Sequence, residues 1–249
     1  MPAVAVPGAT SVPVLQAHLA VPRGAGPWPG VVVLHEAFGL TADTRAQADR
    51  LAAEGYLAVA PDLFTAGRLR CLRSVFAAML SGAGPAFGDI EATRLWLAAR
   101  PECTGRTGVI GFCLGGGFAL GAAAHGFDAA APNYGRLPRT APEGLRGACP
   151  VVASYGGEDP SLRGAAAELE GVLTGLGVEH DVREYPGAGH SFLNRETGVV
   201  PHVMRVTGLG GYHEPSAADA WRRILVWFDR HLRDPGGPAD PGGPAATRG

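Results

Sequence analysis

Three side chains that together can activate a thiol occur along the chain in the order Cys113, Asp159, His190. A thiol becomes a good nucleophile when a base takes its proton, and the base works best when an acid orients it and supports the charge it acquires. Each of the three follows a stretch that reads as a strand, so each is predicted in a loop at the exit edge of a sheet. The cysteine has the most specific surroundings. Gly111-Phe112-Cys113-Leu114-Gly115 sets a glycine two residues either side of it, the spacing of a nucleophile elbow, where a strand turns sharply into a helix and glycine relieves crowding. The small-residue run that follows reads as that helix. Its unpaired N-terminal N–H groups and partial positive charge favour a thiolate and an oxyanion beside it. Two other readings compete: a buried cysteine packing as a small hydrophobe, and a glycine-rich turn cradling phosphate. The second lacks the G-x-G-x-x-G spacing, and the chain holds no lysine to complete a Walker loop.

The remaining candidates are argued one by one. Asp159 could equally cap a turn, and Glu158 is its nearest rival as the acid. Of eight histidines, His190 alone sits in a glycine-flanked loop after a late strand. His18, His125, His180 and His231 read as ordinary strand or helix positions, with His202 and His213 in reserve. Two backbone donors should hold an oxyanion: the N–H after the nucleophile, Leu114, and one from the loop after an early strand, Ala37. Glu36 adjoins that second donor and could accept or hold the thiol proton. A metal reading of His35-Glu36 lacks a second spaced histidine, so no metal is expected.

Around these residues the sequence alternates strand and helix signals, which predicts an α/β fold with a mostly parallel central sheet and helices on both faces. Residues 10–21 suggest an edge strand or hairpin; Val31-Val32-Val33-Leu34 and Tyr56 to Ala60 read as buried strands joined by a helix from Thr41 or Asp43 to Glu54. Residues 61–87 break the rhythm and are expected to form a cap or loop near the site, with a short helix around Val75 to Leu80. An amphipathic helix over Asp89 to Arg100, with Ile90, Leu95, Trp96 and Leu97 inward, leads into the elbow strand. Later strands are predicted at Ala129 to Asn133, Pro150 to Tyr155 and Val178 to Tyr185, and a last amphipathic helix over Ser216 to Arg233. Residues 1–233 form one domain in this reading, and the Pro/Gly-rich tail 234–249 is expected to be disordered.

Composition narrows the partners. At 249 residues, 46% hydrophobic and 18% charged, the chain can bury a sizeable core. No apolar run reaches the roughly 18 residues of a membrane span. All 21 basic residues are arginine, and the net charge is −2, so there is no positive excess to hold nucleic acid. The N-terminus has no basic region followed by a long apolar core, and the four cysteines lie far apart, so a cytoplasmic protein without a disulfide framework is expected. A monomer or small homo-oligomer acting on a small molecule fits these limits.

The segments His35-Glu36-Ala37-Phe38-Gly39, Ala60-Pro61-Asp62-Leu63-Phe64, Gly111-Phe112-Cys113-Leu114-Gly115-Gly116, Asn133-Tyr134-Gly135, Gly157-Glu158-Asp159 and Gly189-His190-Ser191-Phe192 resemble the dienelactone hydrolase family of the α/β-hydrolase superfamily over about residues 10–233. The resemblance implies an α/β-hydrolase fold, a Cys113-Asp159-His190 triad, a glutamate, Glu36, paired with the cysteine, and hydrolysis of a cyclic enol-lactone without a cofactor. It further implies that arginines from the cap and from just after the histidine motif hold a substrate carboxylate. Arg70, Arg73 and Arg195 are the candidates, and Tyr134 is added as a substrate-binding residue. Arg195 lies one place later than the family pattern, and the family's cap tyrosine is missing. A general esterase or thioesterase, or a non-catalytic binding protein on the same scaffold, remain the alternatives.

Overall fold

The computed structural model describes residues 3–195 and 210–233, without the side chains of residues 68–70 and 72. Expectations for His202, for the Arg70 side chain and for the tail 234–249 therefore fall outside the described residues. Eight strands, β1 (Ala3–Pro7), β2 (Val14–Ala20), β3 (Trp28–Leu34), β4 (Leu57–Pro61), β5 (Cys103–Phe112), β6 (Ala129–Asn133), β7 (Val151–Gly156) and β8 (His180–Tyr185), make one sheet in the order β1-β2-β4-β3-β5-β6-β7-β8. β1 pairs antiparallel with β2, and β2 with β4; all later neighbours are parallel. The parallel strands are covered on both faces, which is why Val31 to Leu34, Leu57 to Ala60 and Ala129 to Ala131 are continuous apolar runs, all fully buried.

The helices are α1 (Ala42–Ala53), α2 (Arg68–Ser81), α3 (Pro85–Ala98), α4 (Leu114–Ala122), α5 (Ala165–Leu176) and α6 (Glu214–Phe228). On one face α1 and α6 meet: the Arg50 guanidinium lies 4.2 Å from the centre of the Trp221 ring, and Tyr56, just beyond α1, donates to Asp229 at 2.6 Å. On the other face α3 packs Leu97 into the space beside Gly30, and α2 sets Met79 against Gly117 of α4. This is the expected α/β-hydrolase architecture. Among the described residues no helix is long and apolar enough to cross a membrane.

Three local expectations differ. β1 was not anticipated; it is a short edge strand whose only fully buried side chain is Val6, too weak an alternation to read in advance. The segment 61–87 is not a loop but holds the 14-residue helix α2 and the first turn of α3, because Val75, Ala78 and Met79 recur at helical spacing and are buried against the core. In α3, Ile90 and Leu97 point inward as expected, whereas Leu95 is 53% exposed.

What matters for the site is the level at which the strands end. Leu34 pairs with Gly111, Phe112 with Asn133, Asn133 with Ser154, and Gly156 with Tyr185. The exit loops of β3, β5, β6, β7 and β8 therefore start side by side along one edge of the sheet. The turn into α4 is tight enough to exclude side chains: a β-carbon on Gly111 would lie 1.9 Å from the Gly115 carbonyl oxygen, and one on Gly115 would lie 2.2 Å from that of Leu34. Both obstacles are backbone and cannot swing away. Gly115→Ala is expected to cost about 3 kcal/mol, the upper part of the usual overpacking range, and to lower the thermal midpoint by roughly 6–12 °C for a domain of this size. A melt within 2 °C of the parent, taken as "about unchanged" for such a domain, would contradict this packing.

Candidate active site

Cys113 directly follows β5 and caps α4 with φ 54° and ψ −110°. A residue with a β-carbon reaches this conformation only when its surroundings enforce it. Here the enforcement is visible: the Cys113 N–H donates to the Asn133 carbonyl at 3.1 Å, and the Cys113 carbonyl accepts from Gly117 at 3.1 Å in the first turn of α4. The thiol thus stands at the N-terminus of a helix whose dipole favours negative charge. The other described cysteines have no such setting. Burial pushes the Cys149 thiol up to about 12 and raises that of Cys103, and Cys71 lies on α2.

His190 and Asp159 arrive from the loops after β8 and β7. His190 Nδ1 and Asp159 Oδ2 are 2.5 Å apart, and the other carboxylate oxygen of Asp159 accepts from Ser161 N at 2.9 Å and Ser161 Oγ at 2.6 Å. Asp159 is 2% exposed. Its burial alone would raise its pKa, but the hydrogen bonds from His190 and Ser161 and the imidazolium charge bring it below the ordinary carboxylate value. For His190 burial likewise opposes charge, yet hydrogen bonds to Asp159 and to Cys113, with the negative charges of both, carry it up to about 10. The imidazole therefore has two side-chain partners, one on each side, and is held as a cation. Glu158, the rival acid, is exposed.

The loop after β3 supplies Glu36 and Ala37. Glu36 is 2% exposed, and Ser191, next to the histidine, donates its hydroxyl to Glu36 Oε1 at 2.8 Å. Glu36 is thereby tied to the residue that follows His190. The N–H groups of Ala37 and Leu114 have no hydrogen-bond partner among the described residues, and the start of α4 is pressed against the first residues of the Ala37 loop, since a β-carbon on Gly115 would also lie 2.8 Å from the His35 carbonyl oxygen. Two free donors thus lie on adjoining segments.

The substrate-binding candidates sit differently from the sequence reading. Tyr134 is buried, its ring 5.2 Å from that of His190, and its hydroxyl donates to Asn194; burial and the nearby carboxylates keep the phenol protonated. It therefore backs the histidine instead of facing open space. Arg195 is exposed, donates to Glu214 Oε2 at 2.9 Å and to the Tyr212 hydroxyl at 2.6 Å, and stacks 3.9 Å from the Tyr212 ring centre. Arg73 is exposed on α2. The sequence reading did not single out Asn194, Asp43 and Gln47. Asn194 donates to Asp43 Oδ2 at 2.7 Å, the Arg195 N–H donates to Asp43 Oδ1 at 2.9 Å, and Gln47 donates to the Leu193 carbonyl at 3.3 Å. Helix α1 thereby grips the histidine loop. Only the position of Asp43 in the first turn of a helix hinted at this.

Among the described residues no group of three or more His, Cys, Asp or Glu side chains could hold a metal ion. A family model for the dienelactone hydrolase family matches residues 15–232. The chain belongs to this family. A carboxymethylenebutenolidase from Rhodococcus opacus is 31% identical over 251 residues, covering 91% of this chain and 89% of the relative. A crystal structure of a Klebsiella pneumoniae protein is 28% identical with a TM-score of 0.74, covering 92% of this chain and 98% of that one. The dienelactone hydrolase from Anabaena variabilis shares the fold at 23% identity, with a TM-score of 0.69 and coverage of 93% and 99%. Family membership makes this protein a hydrolase.

The raised pKa of His190 has a consequence for stability. Its value in the fold, about 10, exceeds the ordinary 6.5, so the ion pairing stabilises the fold fully below about pH 6.5, while Asp159 stays ionised, and the stabilisation fades as pH rises towards 10. His190→Gln should therefore lose most stability near pH 6.5 and much less near pH 10. Urea unfolding at the two pH values measures this, and an equal loss at both would show that His190 is not held as a cation.

Proposed function

We propose that this dienelactone hydrolase family member hydrolyses carboxylic esters and lactones through a thioester on Cys113. The observation that carries the reading is the imidazole of His190 held between the Asp159 carboxylate and the Cys113 thiol. The thiolate attacks the acyl carbon; a C–S bond forms, and the carbonyl π pair moves onto oxygen, where the Leu114 and Ala37 N–H groups receive it. When that oxyanion collapses, the C–O bond to the leaving group breaks and His190 gives its proton to the departing oxygen. In a lactone the departing oxygen stays tethered to the acyl chain. Water then attacks the thioester as His190 removes its proton; the carboxylic acid leaves, and the thiolate–imidazolium pair is restored. Glu36, bound by Ser191 beside His190, offers a second site for the thiol proton before substrate arrives.

The Rhodococcus opacus relative, a carboxymethylenebutenolidase, supports a lactone among the substrates. A broader esterase is the second reading, and the pairing of Arg195 with Glu214 and Tyr212 favours it, because an arginine so engaged must leave its partners to meet a substrate carboxylate.

Turnover of p-nitrophenyl acetate tests the thiol route. Cys113→Ala is expected to lower kcat/KM by at least about 10³-fold, and His190→Ala by about 10²- to 10⁴-fold. Iodoacetamide should stop turnover with one label at Cys113. Asp159→Asn should slow the enzyme while Glu158→Gln should not; the reverse order would move the acid to Glu158, and full activity in Cys113→Ala would sink the mechanism. For substrate class, Arg195→Ala is expected to raise KM for an anionic lactone and leave a neutral ester unchanged if the lactone reading holds. Equal KM values in parent and variant for both substrates favour the broader esterase.

A further inference from the structure

His35 is fully buried at the point where β3 gives way to the Glu36-Ala37 loop, and it takes no part in the chemistry above. Both of its ring nitrogens have backbone partners. Nδ1 lies 2.6 Å from the Glu36 carbonyl oxygen, which can only accept, so Nδ1 carries the proton. Nε2 accepts from the Leu63 N–H at 3.1 Å, which can only donate, so Nε2 is bare. The ring is thus a neutral imidazole with one fixed tautomer, and burial, the largest influence on it, also lowers its pKa. The charged groups facing it are Asp62, whose Oδ1 is 3.8 Å from Nε2, and Glu36 through its backbone; Phe64 packs on the ring at 5.0 Å.

The Glu36 carbonyl also accepts from the Gly39 N–H at 3.1 Å, so both of its acceptor positions are filled from one side. The Glu36–Ala37 peptide is trans, since among the described residues the cis bonds are Gly26–Pro27 and Ala141–Pro142, and in a trans peptide the C=O and N–H point in opposite directions. Fixing the carbonyl towards His35 and Gly39 therefore aims the Ala37 N–H the other way, where it has no partner among the described residues.

We propose that His35 is a positioning residue for the oxyanion site: by donating Nδ1–H to the Glu36 carbonyl it sets the orientation of the Ala37 N–H that receives the developing negative charge. The proposal rests on the thioester reading given above. It separates two functions of one ring, since Nδ1 aims the donor while Nε2 ties the loop to Leu63 at the exit of β4.

Two substitutions divide these functions. In His35→Asn the side-chain amide nitrogen stands where Nδ1 stood and can keep the bond to the Glu36 carbonyl, but nothing reaches Leu63. In His35→Gln the amide reaches Leu63 and the donor to Glu36 is lost. His35→Gln is expected to lower kcat for p-nitrophenyl acetate by about 10- to 100-fold, somewhat less than deletion of an oxyanion donor, with KM little changed. His35→Asn should keep kcat within about threefold of the parent while melting earlier. Alkylation of Cys113 by iodoacetamide forms no oxyanion, so its rate should be the same in the parent and both variants. The proposal is overturned if Asn and Gln lower kcat alike, if Asn is the more damaged in kcat, or if alkylation slows in step with turnover. Full turnover in Cys113→Ala would instead refute the thioester reading, leaving the Asn and Gln comparison to report on the oxyanion donor alone.

Discussion

The site depends on a strained backbone at Cys113 that the surrounding main chain holds in place. Among the described residues three that are not glycine have φ in the left-handed region: Cys113 at 54°, Tyr134 at 40° and Ser191 at 59°. Cys113 and Tyr134 each open a loop junction at the same sheet edge, and Ser191 follows His190. Such conformations cost of order 1–3 kcal/mol each, and a structure keeps them only where neighbouring bonds over-determine them. Cys113 N–H is tied to Asn133, and Tyr134 N–H donates to the Ser154 carbonyl at 2.7 Å, so the strained residues of β5 and β6 are each pinned to the next strand. A β-carbon on Gly135 would lie 2.2 Å from the Gly116 carbonyl carbon, so the loop after β6 also closes directly on α4. The strain at one residue is thus distributed through the parallel ladder.

That rigidity has an electrostatic use. The partial burial of His190 by itself would favour the neutral imidazole. It is cationic here because Asp159 and Cys113 flank it, and Asp159 can be an anion in turn because Ser161 gives it two more donors. Each charge in the chain requires the next to be at bonding distance. Tyr134, packed against the same imidazole, contributes in the opposite way: burial and the nearby Glu36 and Asp43 keep its phenol neutral, so it adds a donor to Asn194 without adding a charge that would compete for the imidazolium.

The parts of this arrangement that were legible in the sequence are those written in local spacing. Glycines at 111 and 115 around Cys113, the apolar run before it and the small residues after it specify strand, turn and helix from one stretch, and the limits of β6 match the expected Ala129 to Asn133. Asp159 and His190 were readable as loop residues after late strands. What escaped depended on partners far away in the chain. Arg195 looked free to meet a carboxylate, but its guanidinium pairs with Glu214 and stacks on Tyr212. Tyr134 looked like a lining residue, but it is turned inward onto Asn194. His35 offers in the sequence only a metal reading that lacks a second spaced histidine, because no local pattern reveals that its two nitrogens face the Glu36 carbonyl and the Leu63 N–H.

Helix α1 explains how separate loops act as one unit. The chain passes from the Ala37 loop into α1 with Thr41 as its cap, where the Thr41 hydroxyl accepts from the Thr44 N–H. Within the first turns of the same helix, Asp43 and Gln47 hold Leu193, Asn194 and Arg195 by hydrogen bonds. The loop bearing the Ala37 N–H is therefore continuous with the helix that grips the loop bearing His190. A shift of α1 would act on both loops at once, and so on the separation of Ala37 from His190. The proposed acyl transfer is sensitive to that separation, since a misplacement of about 1 Å can cost on the order of 10²-fold in rate. Cys113, pinned to the sheet itself, supplies the fixed reference. The carbonyl of a substrate would then meet Cys113 and the Ala37 N–H, held from the sheet through Asn133 and His35, together with His190, whose loop is held by α1 and by Asp159.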